Sequence, residues 1–149
     1  MIENAPPRIR PGWVTAIVLL TWLALGYALL SQSLIRAGLI EMPLATQQYL
    51  ARLTPADWAI TAAVSLMQVV AMTLLWLMRR QALWWLVASY FIGSANFARQ
   101  VVTRGFMDQI GIGGPVGMIL GCLVLAMSTL ISAAILAYVA SLYRRGALG

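Results

Sequence analysis

The stretch VGMILGCLVLAMSTLISAAILAYVASLY, residues Val116–Tyr143, contains no charged side chain and is longer than a bilayer requires. A helix needs about 20 apolar residues to cross the hydrocarbon core. Three further segments are also mainly apolar and carry arginines at their ends: residues 13–35, 56–78 and 82–102. We therefore predict an all-α integral membrane protein, with four transmembrane helices in an antiparallel up-down bundle that forms a single domain over residues 1–149.

The overall composition favours the same class of protein. Hydrophobic residues make up 62% of the chain and charged residues 9%, whereas soluble domains are about 25% charged. The longest connection between apolar segments, Arg36–Ala56, is too short for a separate soluble domain. All ten basic residues are arginine, which is typical of a GC-rich bacterial genome, so we predict a bacterial inner-membrane protein.

Several kinds of chemistry are disfavoured by residues that the chain lacks. It has no histidine and one cysteine, Cys122. Bis-histidine haem ligation, the common zinc sites and dithiol redox chemistry therefore have no candidate residues. We predict no cofactor and no metal site, and catalysis is the least favoured function.

The net charge of +6 comes from arginines at the ends of the apolar segments. That distribution is typical of membrane topology and of contact with anionic lipids. No basic and aromatic platform accompanies it, so we predict membrane lipids as partners and no nucleic acid.

The connection between the first two spans has a pattern of its own. Apolar and polar residues separate onto opposite faces of Leu44–Leu53 if the segment is helical, which predicts a short amphipathic helix at the membrane interface. Thr54, Pro55 and Asp57 then form a helix-start signature, with Thr54 as the N-cap, Pro55 at the first position and Asp57 accepting from free amides.

Arginine counts predict the orientation. Arg8, Arg10, Arg79, Arg80, Arg144 and Arg145 flank one side of the membrane, and Arg36, Arg52, Arg99 and Arg104 flank the other. Six against four favours both termini in the cytoplasm. Only Gln81 and Ala82 separate the Arg79-Arg80 pair from Leu83, so the second and third spans should form an antiparallel hairpin.

Polar residues inside the apolar segments are the candidate site. Ser65 and Gln68 share one face of the second span, and Gly93 and Asn96 share one face of the third. Counting outward from a hairpin centre at residues 80–81 places Ser65 level with Asn96, and Gln68 level with Gly93. The predicted seam has two interpretations, which are hydrogen bonds that only join the helices and the lining of a pocket for a small molecule, lipid or quinone.

Arg99 lies one turn beyond Asn96 and completes the candidate ligand-binding or lipid-binding set of Ser65, Gln68, Asn96 and Arg99. Its guanidinium could clamp an anionic headgroup in a bidentate manner or extend along the helix to the interface. The nearest acidic residue in sequence is Asp108. The spacing Gly117-x-x-x-Gly121 in the last span suits close helix packing, within the chain or between two copies.

Three functions remain open from the sequence. The first is an accessory or scaffold subunit of a membrane complex, and the second is an oligomeric protein that binds or transports a small molecule or lipid. A membrane enzyme is the third choice. The substrate, the partner subunit and the oligomeric state have no signature in the sequence.

Overall fold

The computed structural model describes residues 11–106 and 114–148, which form five helices and no strand. The helices are α1 (Gly12–Arg36), α2 (Leu44–Arg52), α3 (Pro55–Trp76), α4 (Gln81–Arg104) and α5 (Gly114–Arg144). The four long helices begin and end within two residues of the predicted segments, and α2 lies where the short helix was predicted. The arginines at 8 and 10 and the acidic residue at 108, which entered the predictions, lie outside the described residues.

Three of the long helices, α1, α3 and α5, are long and apolar enough to cross a membrane. By length and composition, these helices indicate a membrane protein. Helix α4 has 24 residues, but polar side chains occupy its second half, among them Asn96, Arg99, Gln100 and Arg104. Its length suits a span and its composition is mixed.

Helices α3 and α4 pack against each other along their length and run antiparallel. Asn96 of α4 contacts Thr61 of α3, while Gly93 of α4 lies against Val64. The residue number on one helix therefore falls as the number on the other rises, as the short connection predicts.

The turn between α3 and α4 requires an unusual backbone conformation at Met78. The Arg79 N–H donates to the Leu74 carbonyl and the Met78 N–H donates to the Leu75 carbonyl, both at 2.9 Å. This pair of bonds ends α3 in a Schellman motif, which needs a left-handed residue that is most often glycine. Met78 adopts φ 54° and is only 5% exposed, so burial of its side chain offsets the cost of the backbone.

The buried core lies at the end of the molecule that holds this turn. It joins the start of α1 and of α4 to the end of α3 and of α5, through Val14, Val18, Ala71, Met72, Leu75, Met78, Ala82, Leu86, Val139 and Leu142. Leu148, beyond α5, is fully buried in the same core. Arg80 Nε donates to the Leu148 carbonyl at 3.0 Å, which fixes the carboxyl-terminal segment beside the α3–α4 turn. We call this the turn end of the molecule.

Away from the turn end, α1 and α5 are largely uncovered. None of the residues in the most apolar stretch of α5 is buried, and about one tenth are buried in that of α1. Large side chains such as Leu23, Tyr27, Leu123 and Val124 are exposed there. In a membrane, lipid or another protein must cover these faces.

At Met78, a glycine variant should be more stable than an alanine variant, which reverses the usual order of these two residues. Both Met78→Gly and Met78→Ala remove the buried side chain and should destabilise the protein by about 2–5 kcal/mol. Glycine adopts the left-handed conformation freely, whereas alanine incurs about 1–2 kcal/mol. We therefore expect Met78→Gly to unfold at a higher temperature than Met78→Ala in the same detergent. Equal stabilities, or a more stable alanine variant, would contradict the left-handed turn.

Candidate functional site

The first turn of α3 contains the capping arrangement that the sequence predicts. The Thr54 backbone N–H donates to the Asp57 carboxylate at 2.8 Å, and the Asp57 N–H donates to the Thr54 hydroxyl oxygen at 3.3 Å. The Thr54 hydroxyl also donates to the carboxylate, at 2.7 Å. This reciprocal capping box, with Pro55 at its first helical position, is therefore confirmed. It fixes the direction in which the carboxylate of Asp57 points.

Asp57 also binds two arginines of α4, which its predicted role as a helix cap does not require. One carboxylate oxygen accepts from Arg99 and the other lies 3.1 Å from an Arg104 nitrogen. The Asp57 side chain is completely covered, while those of Arg99 and Arg104 are 41% and 26% exposed. A covered carboxylate requires such partners, because an unpaired charge away from water is strongly unfavourable. These three residues form what we call the Asp57 cluster.

Asn96 connects the Asp57 cluster to the middle of α3. Its side-chain oxygen accepts from Arg99 at 3.1 Å, and its amide nitrogen donates to the Thr61 hydroxyl at 3.5 Å. The Thr61 hydroxyl in turn donates to the Asp57 carbonyl at 2.8 Å. The side chains of Asn96 and Arg99, both predicted site residues, are therefore in direct contact.

Helix α2 joins the same end of the molecule through Tyr49. Its hydroxyl donates to the side-chain oxygen of Gln100 at 2.6 Å, and its ring makes an edge contact with Phe106 at 5.5 Å. Burial raises the pKa of Tyr49, and the negative charge of Asp57 raises that pKa further. The phenol therefore stays protonated and keeps donating well into the alkaline range. Tyr49, Gln100 and the Asp57 cluster define the cluster end of the molecule.

The other two predicted site residues lie elsewhere. The Ser65 hydroxyl donates to the Thr61 carbonyl at 3.0 Å, and Ser65 lines a groove between α1 and α3. Gln68 lines two neighbouring cavities of about 140 and 250 Å³ between α3, α4 and α5, and Thr21 of α1 also lines the smaller one. The structure therefore brings Asn96 and Arg99 together and leaves Ser65 and Gln68 apart from them. Whether any of the four binds a ligand stays a prediction.

The predicted register between α3 and α4 was wrong by one helical turn. Asn96 lies opposite Thr61 instead of Ser65, and the position that a Gly93 side chain would occupy is 3.4 Å from Val64 instead of Gln68. The prediction placed the hairpin centre at residues 80–81. The left-handed Met78 ends α3 early and moves the centre toward residue 78. A shift of four residues nearly equals one helical turn. The residues therefore lie on the predicted faces of α3 and α4, but each lies opposite a residue one turn away from the predicted partner.

The groove beside Ser65 is the largest cavity that we describe, at about 520 Å³. Apolar side chains of both helices, such as Leu25, Leu29 and Leu66, form most of its wall. Gln32 and Thr61 line it as well, and Thr61 is the residue that Asn96 contacts. The groove therefore connects to the Asp57 cluster through two side chains.

No known family model, curated protein or solved structure matches this chain. Within residues 11–106 and 114–148, no group of three histidine, cysteine or acidic side chains could hold a metal ion. The function of the protein is therefore indicated by the geometry of its clusters and cavities.

The two ways of breaking the Asp57 cluster should have unequal effects on stability. Asp57→Asn keeps the Thr54 cap but leaves Arg99 and Arg104 facing each other without a negative charge. Arg99→Gln leaves Asp57 paired with Arg104. We expect Asp57→Asn to lower the melting temperature in detergent more than Arg99→Gln does.

The exposed Arg144 provides a matched control, because Arg144→Gln should change stability by no more than about 0.5 kcal/mol. If Asp57→Asn were as stable as Arg144→Gln, the cluster would have no structural role.

Proposed function

We propose that this protein is an accessory or scaffold subunit of a complex in the bacterial inner membrane. The observation that carries the proposal is the uncovered state of α5, which has 31 residues. It contacts the rest of the chain mainly near the turn end, and none of its most apolar stretch is buried. A span held at one end presents most of its length to a neighbour.

The contrast between the cluster end and α5 supports the same proposal. Polar groups at the cluster end are engaged in holding α2, α3 and α4 together, through Asp57, Arg99 and the Tyr49–Gln100 bond. Hydroxyls on α5, such as those of Ser128 and Ser132, donate to carbonyls of their own helix. Rigid internal bonding next to an open apolar helix suits a protein that positions a partner subunit.

We propose four membrane spans in an up-down arrangement, with both termini in the cytoplasm. The composite core supports this topology, because it gathers the starts of α1 and α4 with the ends of α3 and α5. The bond from Arg80 to Leu148 puts the carboxyl-terminal segment on the side of the Arg79-Arg80 pair. Both arginine pairs then flank the cytoplasmic face, as the positive-inside rule favours.

Topology can be tested with single cysteines in a Cys122→Ala background. We expect a cysteine at Ala147 to react with a membrane-impermeant maleimide only after the cells are opened. A cysteine at Gln47, in α2, should react in intact spheroplasts. Labelling of the Ala147 cysteine in intact spheroplasts would contradict a cytoplasmic carboxyl terminus.

A ligand-binding or transport protein is the second candidate, and the cavities around Gln68 favour it. Ser89, Tyr90 and Ser132 line both cavities with Gln68. Within the described part of the chain, Gln68 has no hydrogen-bond partner, so its amide could bind a polar group of a small molecule that enters from the membrane.

Native mass spectrometry from a mild detergent separates these two functions. The accessory-subunit proposal predicts a complex with a different membrane protein, and Leu123→Trp on the exposed face of α5 should reduce the yield of that complex by about tenfold. Leu20→Trp on α1, also at an exposed leucine, is the matched control and should leave the yield unchanged. A homo-oligomer or monomer that retains a small molecule, with no second protein, would overturn the proposal in favour of the second candidate.

A further inference from the structure

The Asp57 cluster carries more positive than negative charge. Two guanidinium groups face one carboxylate, which leaves a local charge of +1. Arg99 keeps 41% of its side chain exposed, and the buried Nε of Arg104 has no acceptor among the described residues. Asp57 is therefore already neutralised within the cluster. An anion that approaches Arg99 from the membrane side is attracted by the positive charge that remains.

The Asp57 cluster lies at the depth of the lipid headgroups. Asp57 lies in the first turn of an apolar helix that is long enough to cross the membrane. Arginine at such a position is attracted to anionic lipids, and its planar donors match the oxygens of a phosphate.

The groove between α1 and α3 has Thr61 in its wall and follows α3 from there toward Val69. Thr61, at its polar end, is linked through Asn96 to Arg99. From Thr61 to Val69 the groove follows α3 for about 12 Å. Its volume of about 520 Å³ falls within the range of pockets that hold small ligands, and its walls are mainly apolar.

We infer that this protein binds one anionic phospholipid, with an acyl chain in the groove between α1 and α3 and the phosphate at Arg99. The excess positive charge selects the headgroup, and the apolar wall formed by Leu25, Leu29, Leu66 and Val69 holds the chain. The site lies within a single copy of this protein, so it does not depend on the partner subunit proposed above.

The inference can be tested with isolated protein that is delipidated and reconstituted into vesicles of phosphatidylcholine and phosphatidylglycerol in equal amounts. Lipid retained after gentle extraction is then counted by mass spectrometry. We expect wild-type protein to retain phosphatidylglycerol preferentially. Arg99→Gln should lower the ratio of the two lipids by about fivefold, the effect of one arginine near a charged surface, and Arg99→Lys should keep most of the preference.

The groove has its own variant and control. Ala62→Phe fills the groove and should reduce the retention of both lipids, whereas Ala95→Phe, at an exposed position of α4, should reduce neither. This pair tests the inference even if the Arg99 variants fail to fold. An unchanged lipid ratio in folded Arg99→Gln would overturn the inference, as would equal retention in Ala62→Phe and Ala95→Phe. Displacement of the lipid by glycerol phosphate would also overturn it, because the site would then recognise a soluble phosphate.

Discussion

The charge of Asp57 constrains how the helices can be arranged, because its side chain is covered and must be neutralised by the protein itself. Thr54 supplies two donors from the start of α3, and Arg99 and Arg104 supply positive charge from the end of α4. All three partners can reach Asp57 only if α3 and α4 are antiparallel and in the observed register. A local capping residue thus becomes a long-range constraint on the hairpin.

The hairpin is therefore held at both of its ends by different physical means. At the turn end, apolar side chains such as Leu75 and Leu86 pack with the buried Met78. At the cluster end, ion pairs and hydrogen bonds join α2, α3 and α4. The buried residues of α1 and α5 lie in the core at the turn end, which leaves the groove beside α1 and the long uncovered face of α5.

Local sequence signals predicted the elements of this structure well. The lengths of the apolar segments predicted the long helices. The Thr54-Pro55-Ala56-Asp57 stretch predicted the cap of α3, because capping acts within a few residues. The register of α3 against α4 depended on a left-handed Met78, and nothing in an ordinary methionine signals that conformation. Asp57 and Arg99 are 42 residues apart, and the one-turn error in register concealed their pairing.

The site residues were predicted only in part for the same reason, the error in register. Asn96 and Arg99 were selected as polar residues in an apolar segment, and they do contact each other. Their partner Asp57 was already explained by its capping role, so no second role was sought. Counting outward from a hairpin centre near residue 78 brings Asp57 within one turn of Arg99. This spacing is the signal in the sequence from which the pairing could have been predicted.

Helices α3 and α4 are joined at both ends of their hairpin, whereas α5 is held at one end only. Pulsed electron spin resonance in lipid bilayers measures this directly, with spin labels introduced in pairs in the Cys122→Ala background. A pair at Ala56 of α3 and Thr103 of α4 should give a narrow distance distribution, and a pair at Ala56 and Leu120 of α5 should give a broad one. Equally narrow distributions for the isolated chain would contradict this arrangement of the helices, because α5 would then be fixed without a partner.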